Sequence, residues 1–237
     1  MPADLINLLH ELQARPDAFQ ASVPAAGLPP LLALLRSWQS SRLARTYADL
    51  LEDPRYSPVC RFFLSDIYAP RDFSQRDHDA ERLYAILARY LPAAMLRLLA
   101  DVLRLNQLTN ALDLALLRIL VDELRVTDAI SPQQYAQAYR LCANYPARKE
   151  QIDLLVQVLA EAGEGAHHPL VGISLRLARR PALRLGWFEL VDFLERGYAA
   201  ARSARHFDFF VKTIQNREMH ILDRIFSNHP DPFNLTS

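Results

Sequence analysis

Leu108-Thr-Asn-Ala-Leu-Asp-Leu-Ala-Leu-Leu-Arg-Ile-Leu-Val-Asp-Glu-Leu-Arg125 is apolar around most of its circumference when wound at 3.6 residues per turn. A helix of that kind is surrounded by other helices, so 108–125 is expected near the centre of a helical core. No stretch of useful length alternates with a period of two, and no sheet is expected. Glycine is scarce, at 6 of 237 residues, and the 15 prolines fall mostly between periodic segments. That distribution is what long helices require.

Working outward, prolines and caps divide the chain into about ten helices. The first covers about 3–14. The second starts at Pro29-Pro30 and runs to about Asp53, because proline suits a first helical turn. A third spans 58–68 and stops at Pro70. Ser74 caps the next, which reaches about Tyr90, and Pro92 opens another to about Leu105. After 108–125, Ser131-Pro132-Gln133-Gln134 combines a serine cap, a first-turn proline and a glutamine three residues after the cap, the pattern of a capping box. That helix runs to about Asn144. Pro146 opens a helix that Gly163 is expected to close, Pro169 one to Arg180, Trp187 one through Ala201, and the last spans about 205–227.

With 51% hydrophobic residues the chain can bury a core. The expected fold is all-α, a single multi-helix domain over 1–237 with bundle-like or orthogonal packing. The loop 163–168 is its candidate subdomain boundary, since acidic residues lead by three up to its end and basic residues lead by three after it.

Formal net charge is zero, so no global field selects nucleic acid or an anionic membrane. The longest apolar run, around 28–35, is far short of the roughly 20 residues that cross a bilayer, and no membrane association is expected. The N-terminus is amphipathic and does not read as a secretory signal, which implies a cytoplasmic location. Cys60 and Cys142 have no neighbouring cysteine and are expected reduced, as small buried hydrophobes.

Chemistry is concentrated in Arg61-Phe-Phe-Leu-Ser-Asp-Ile-Tyr-Ala-Pro-Arg-Asp-Phe-Ser-Gln-Arg-Asp-His-Asp79. The helix after it carries its apolar stripe at Leu83, Ile86, Leu87 and Tyr90, and stepping back along that stripe lands on Asp79 and Arg76. Two ionisable groups three residues apart on a buried face must pair. Such a pair locks helices together, or it forms one wall of a polar pocket lined by Asp66, Arg71, Asp72, Arg76 and Asp79. The last helix repeats the anomaly. Glu218 falls inside the stripe Phe207, Phe210, Val211, Ile214, Ile221, Leu222, Ile225, with the arginines of 61–76 and the flanking Arg217 as candidate partners. Asp113 is a weaker third case, expected at a helix edge.

His78-Asp79 resembles the His-Asp pair of the metal-dependent HD phosphohydrolases, which are all-helical. That resemblance would nominate His10 and Asp122 as further ligands, but His78 falls off the core stripe and no second histidine is near it in sequence. His167, His168, His206, His220 and His229 lack the Glu-x-x-His spacing of di-iron bundles, and a haem reading has only helicity behind it. No metal site is assigned and the cofactor is left unknown. Arg176, Arg179, Arg180 and Arg184 form the only basic cluster. Without interleaved aromatics, and with Glu189, Asp192 and Glu195 following, they read as a solvated face rather than a nucleic-acid surface.

Phe62-Phe63-Leu64-Ser65-Asp66-Ile67-Tyr68-Ala69-Pro70-Arg71-Asp72-Phe73, followed by Arg76-Asp77, resembles the signature of an uncharacterised family of bacterial helical proteins. It covers under a tenth of the chain, and no activity attaches to that family. The reading of the sequence is therefore a cytoplasmic helical protein that binds an unknown protein or small-molecule partner and carries a charged turn at 66–79. The alternative is a metal- or haem-dependent enzyme built on the same bundle.

Overall fold

The computed structural model describes residues 29–67, 93–184, 188–204 and 206–235. Among them the secondary structure is helical: α1 (Pro30–Thr46), α2 (Ala48–Glu52), α3 (Ser57–Phe62), α4 (Ala93–Arg118), α5 (Pro132–Cys142), α6 (Tyr145–Ala166), α7 (Pro169–Arg184), α8 (Phe188–Ser203) and α9 (Phe207–Phe226). Short π-helical turns extend α3 over Phe63–Ile67 and α4 over Ile119–Glu123. The expected all-α fold is thereby established. The expected helices at 3–14 and 74–90 lie outside the described residues.

Boundaries moved where tertiary contacts outweigh local signals. The helix from Pro29-Pro30 breaks at Tyr47 instead of reaching Asp53, and the fully buried Tyr47 side chain sits at the break. The two helices expected at 92–105 and 108–125 are one, α4. Asn106 and Gln107 only flatten the hydrophobic pattern without supplying a cap. Gly163 does not close α6, which runs on to Ala166. A Cβ at Gly163 would collide with the Phe207 ring, so this glycine serves the close approach of α9 rather than a helix end. The capping box forms as read: Ser131 Oγ accepts from the Gln134 N–H, and Gln134 Oε1 accepts from the Ser131 N–H at 3.0 Å.

Polar contacts fix the helix directions. Arg36–Asn110 and Gln39–Asp113 keep one offset, so α1 runs parallel to α4. Arg148 reaches the Leu112 carbonyl and Gln157 reaches Asp101, which sets α6 antiparallel to α4. Tyr145–Asp223 at one end and Gly163–Phe207 at the other set α9 antiparallel to α6.

Among the described residues the centre is α6, which packs on α4, α7, α8 and α9, rather than the 108–125 segment. That segment buries Leu112, Leu116 and Leu120 but leaves Ala111, Leu114 and Arg118 exposed. Its register turns Asp113 inward at 3% exposure and Leu114 outward at 42%. The main apolar core joins Leu43, Tyr47, Phe63, Leu155 and Leu159 to Phe207, Phe210 and Ile214. A second cluster lies under α1 and α5 around Leu35, Leu116, Leu120 and Tyr135. Among the described residues no helix is long and apolar enough to cross a membrane.

Candidate functional site

Four helices supply an interior set of charges. On α1, Gln39, Arg42 and Leu43 follow Leu35 on the buried face, so the inward stripe of this helix carries two polar side chains. Arg42 Nη1 donates to both oxygens of Glu218, at 2.6 and 2.8 Å, and the Tyr47 hydroxyl donates to Oε1 at 2.8 Å. Burial opposes the charge on Arg42 and is the largest single effect, but the Glu218 carboxylate, Tyr135 and Tyr47 together outweigh it, so the guanidinium titrates above its ordinary range.

Asp113 is the second buried carboxylate. Contrary to the expected helix edge, it accepts from Gln39 Nε2 at 2.9 Å under the cover of α1. Gln39 also donates to the Tyr135 hydroxyl at 3.4 Å, and the Tyr135 and Tyr139 hydroxyls are bonded at 3.2 Å. Arg148 lies over the Tyr139 ring, 4.3 Å from its centroid, and donates to Gln151 Oε1 and the Leu112 carbonyl.

Burial pushes the Asp113 carboxyl above its ordinary value, more strongly than the nearby Arg148 and the Gln39 hydrogen bond pull it down. The folded protein therefore holds this proton more tightly than the unfolded chain, and ionisation costs stability as pH rises from the ordinary carboxylate range through the raised value. Asp113→Asn keeps the acceptor for Gln39 and removes that cost. At pH 7 the variant is expected to be the more stable protein, with the two converging on acidification. An Asp113→Asn deficit at pH 7 that does not shrink in acid, measured by urea unfolding, would contradict this.

Of the cluster nominated from the sequence, Asp66 and Glu218 fall among the described residues. Asp66, at 7% exposure, accepts from Arg196 on α8 at 2.7 and 3.1 Å and from the Ser65 hydroxyl at 2.8 Å. Glu218 pairs instead with Arg42. The two carboxylates thus have different partners on different helices. Of the expected partners of Glu218 among the described residues, Arg61 donates to Ser57, and Arg217 binds Asp49 and the Thr46 carbonyl. Arg71, Asp72, Arg76 and Asp79 lie outside the described residues, as do His10 and His78, while Asp122 is exposed. Arg176, Arg179 and Arg180 are exposed, with Arg179 3.3 Å from Glu195; the Arg184 side chain is not among those described. Cys60 and Cys142 are free thiols. Burial pushes the Cys60 thiol up to about 11, which makes it a poor nucleophile. Among the described residues, no three metal-ligating side chains gather in a geometry that could hold an ion.

Two cavities adjoin this framework. One, of about 50 Å³, lies between Arg148, Gln151, Glu218 and the aliphatic side chains of α6 and α9, and has room for a few water molecules. The other is a groove of about 640 Å³ where the C-terminal end of α6 meets the α8–α9 corner. Ala160, Gly163, Ala204 and Phe207 form its apolar floor, and Glu164, His167, Arg202, His206 and Asp208 its polar rim. His167 Nδ1 lies 2.9 Å from the Gly163 carbonyl, so Nδ1 is the donor and Nε2 is left for another partner. His206 holds φ at 57°, the left-handed region in which a side chain is strained. Sequence reasoning gave these histidines no site, because the groove joins positions about 40 apart along the chain.

Residues 19–232 match a family model described as a domain of unknown function (DUF8198). No curated protein and no solved structure matches the chain.

Proposed function

The chain belongs to the DUF8198 family, and we propose that it is a binding protein for a small polar molecule, held in the groove between the end of α6 and the α8–α9 corner. The observation that carries this reading is the volume of about 640 Å³ combined with a rim of opposed charges. Pockets for small organic ligands are of this size, with an apolar floor and a few convergent polar groups. The internal cavity of about 50 Å³ is too small for that role.

The rim determines the ligand class. Arg202 offers a cation, Glu164 and Asp208 offer carboxylates, and His167 offers Nε2. A molecule bearing both an acidic and a basic group complements all of them. Strain retained at His206 supports a role for this wall, since a side chain kept in the left-handed region is concentrated at ligand-holding sites. Asp66, the first residue of the charged stretch 66–79, belongs to the same proposal, since its pair with Arg196 holds α8, and with it Arg202, against the first third of the chain.

The test is a thermal-shift screen with free amino acids and dipeptides at millimolar concentration. A ligand at a hundred times its Kd adds about 2.7 kcal/mol to stability, a readily measured rise in Tm. The rise is expected to disappear in Ala160→Trp, which fills the floor of the groove. No stabilising compound, or one that stabilises Ala160→Trp equally, would defeat the proposal.

A further inference from the structure

The cavity of about 50 Å³ between α6 and α9 has Arg148 in its wall. On α6, Arg148 and Gln151 precede Leu154, Leu155, Val158 and Leu159 on the buried face, so the helix carries its first charge inward with its apolar stripe. Arg148 is 3% exposed. Its Nη1 donates to Gln151 Oε1 at 3.1 Å and its Nη2 to the Leu112 carbonyl at 3.0 Å, both neutral acceptors. Its Nε–H has no acceptor among the described residues. Arginine is not deprotonated in proteins, so the charge stays. Asp113 acts on it electrostatically but is hydrogen-bonded to Gln39. A buried cation is costly until an opposite charge and hydrogen bonds complete its surroundings.

A second donor lines the same cavity. Gln39 Nε2 donates to the Tyr135 hydroxyl, and that hydroxyl donates to Tyr139 at 3.2 Å. The Tyr139 hydroxyl therefore accepts, and its own proton is left to donate. The Tyr139 ring lies under the Arg148 guanidinium, 4.3 Å from centroid to carbon, which brings the two unspent donors to one wall. The other polar groups of that wall are committed. Gln151 accepts from Arg148 and donates to Thr109 at 2.8 Å. Both Glu218 oxygens accept from Arg42, and Oε1 also accepts from Tyr47.

We propose that this cavity binds one small monovalent anion of the chloride type, held by the Arg148 Nε–H and the Tyr139 hydroxyl. Charge sets the class. Arg42 already answers Glu218, so a single negative charge is what Arg148 calls for, and a dianion would meet the Glu218 carboxylate in the same wall. Size sets it too, since room for a few water molecules admits a monatomic ion and excludes the organic ligands that suit the α8–α9 groove. The rest of the lining is aliphatic, with Leu43, Ile152, Leu155 and Leu222 among it, and an apolar surround strengthens the attraction between ion and guanidinium.

Thermal melts of the full chain test this, with sodium chloride replacing sodium gluconate at constant ionic strength so that screening is unchanged. Chloride is expected to raise the Tm saturably, by about 3–6 °C at ten times its Kd, and bromide to do the same. Tyr139→Phe keeps the ring and removes the donor, and should raise the half-saturating chloride concentration about tenfold or more. Arg148→Lys keeps the charge without the Nε–H and should move it in the same direction. Arg104→Gln, at an exposed cation bound to Glu150, should respond as the unsubstituted protein does. In crystals grown with bromide, an anomalous peak is expected within hydrogen-bonding distance of Arg148 Nε. Equal melts in chloride and gluconate would mean that water alone fills the cavity and would overturn the proposal. So would a bromide peak missing from the cavity, or an unchanged chloride midpoint in Tyr139→Phe and Arg148→Lys.

Discussion

Glu218→Ala is expected to lower the unfolding free energy by about 3–5 kcal/mol, the range for breaking a buried ion pair by removing one partner. The loss comes less from the missing attraction than from what remains. Arg42 is 8% exposed and its Nε is already without a partner, so truncating Glu218 leaves a guanidinium inside the protein with no counter-charge. The Tyr47 hydroxyl loses its acceptor at the same time. Removing both charges is a different experiment. The double variant Arg42→Met with Glu218→Leu should recover much of the loss, because apolar groups of similar volume often replace a buried pair without cost. Urea denaturation at pH 7 would measure all three proteins. A loss under about 1 kcal/mol for the single variant, within the range of exposed pairs, would show that water reaches the pair. We further propose that 1–237 unfolds as one cooperative domain, since Arg42–Glu218, Asp49–Arg217 and Asp66–Arg196 tie its first third to its last. Two resolved transitions in the same denaturation curves would refute that.

Phe210→Ala should cost a comparable amount, about 3–5 kcal/mol. The ring is fully buried, edge-on to Phe63 at 6.4 Å and 5.8 Å from Phe207, so its removal opens a cavity where α3 and α9 meet. The neighbouring Phe209 is the control. It is 53% exposed and makes one ring contact, with Tyr56 at 5.4 Å. Its truncation should stay near the ±0.5 kcal/mol of ordinary surface changes. The comparison turns on helix register alone, since the two residues are chemically identical and adjacent. Equal losses at the two positions would mean that the register of α9 is wrong.

That register was legible beforehand. The stripe Phe207, Phe210, Val211, Ile214, Ile221, Leu222, Ile225 read from the 3.6-residue period is buried throughout. Glu218, singled out as a carboxylate within it, is paired inside the protein. Its partner was not read, although α1 held the sign of it: stepping inward from Leu35 reaches Gln39 and Arg42 before Leu43. A helical wheel places a charge on a face but does not say which of the chain's other charges stands across from it. Arg42 and Glu218 are 176 residues apart, and any arginine on an inward face would have satisfied the same wheel.

Asp113 shows the opposite failure. Its leucine neighbours made an edge position the simplest reading, yet α4 turns Leu114 to solvent and Asp113 inward. Only the arrival of Gln39 from α1 and Arg148 from α6 makes that rotation affordable. Gly163 belongs with it, since a glycine near a helix end looks the same in sequence whether it terminates the helix or admits a neighbouring ring.

What the chain determined alone was local: helical periodicity, the Ser131 cap, prolines at first turns, and the inward face of α9. These depend on residues within a few positions of one another, where backbone geometry dictates the spacing. The pairings Arg42–Glu218 and Asp66–Arg196, the central place of α6, and the groove at the α8–α9 corner were decided by tertiary structure. Each joins side chains that are distant in sequence, and their contacts depend on how whole helices cross, a quantity that no local pattern encodes.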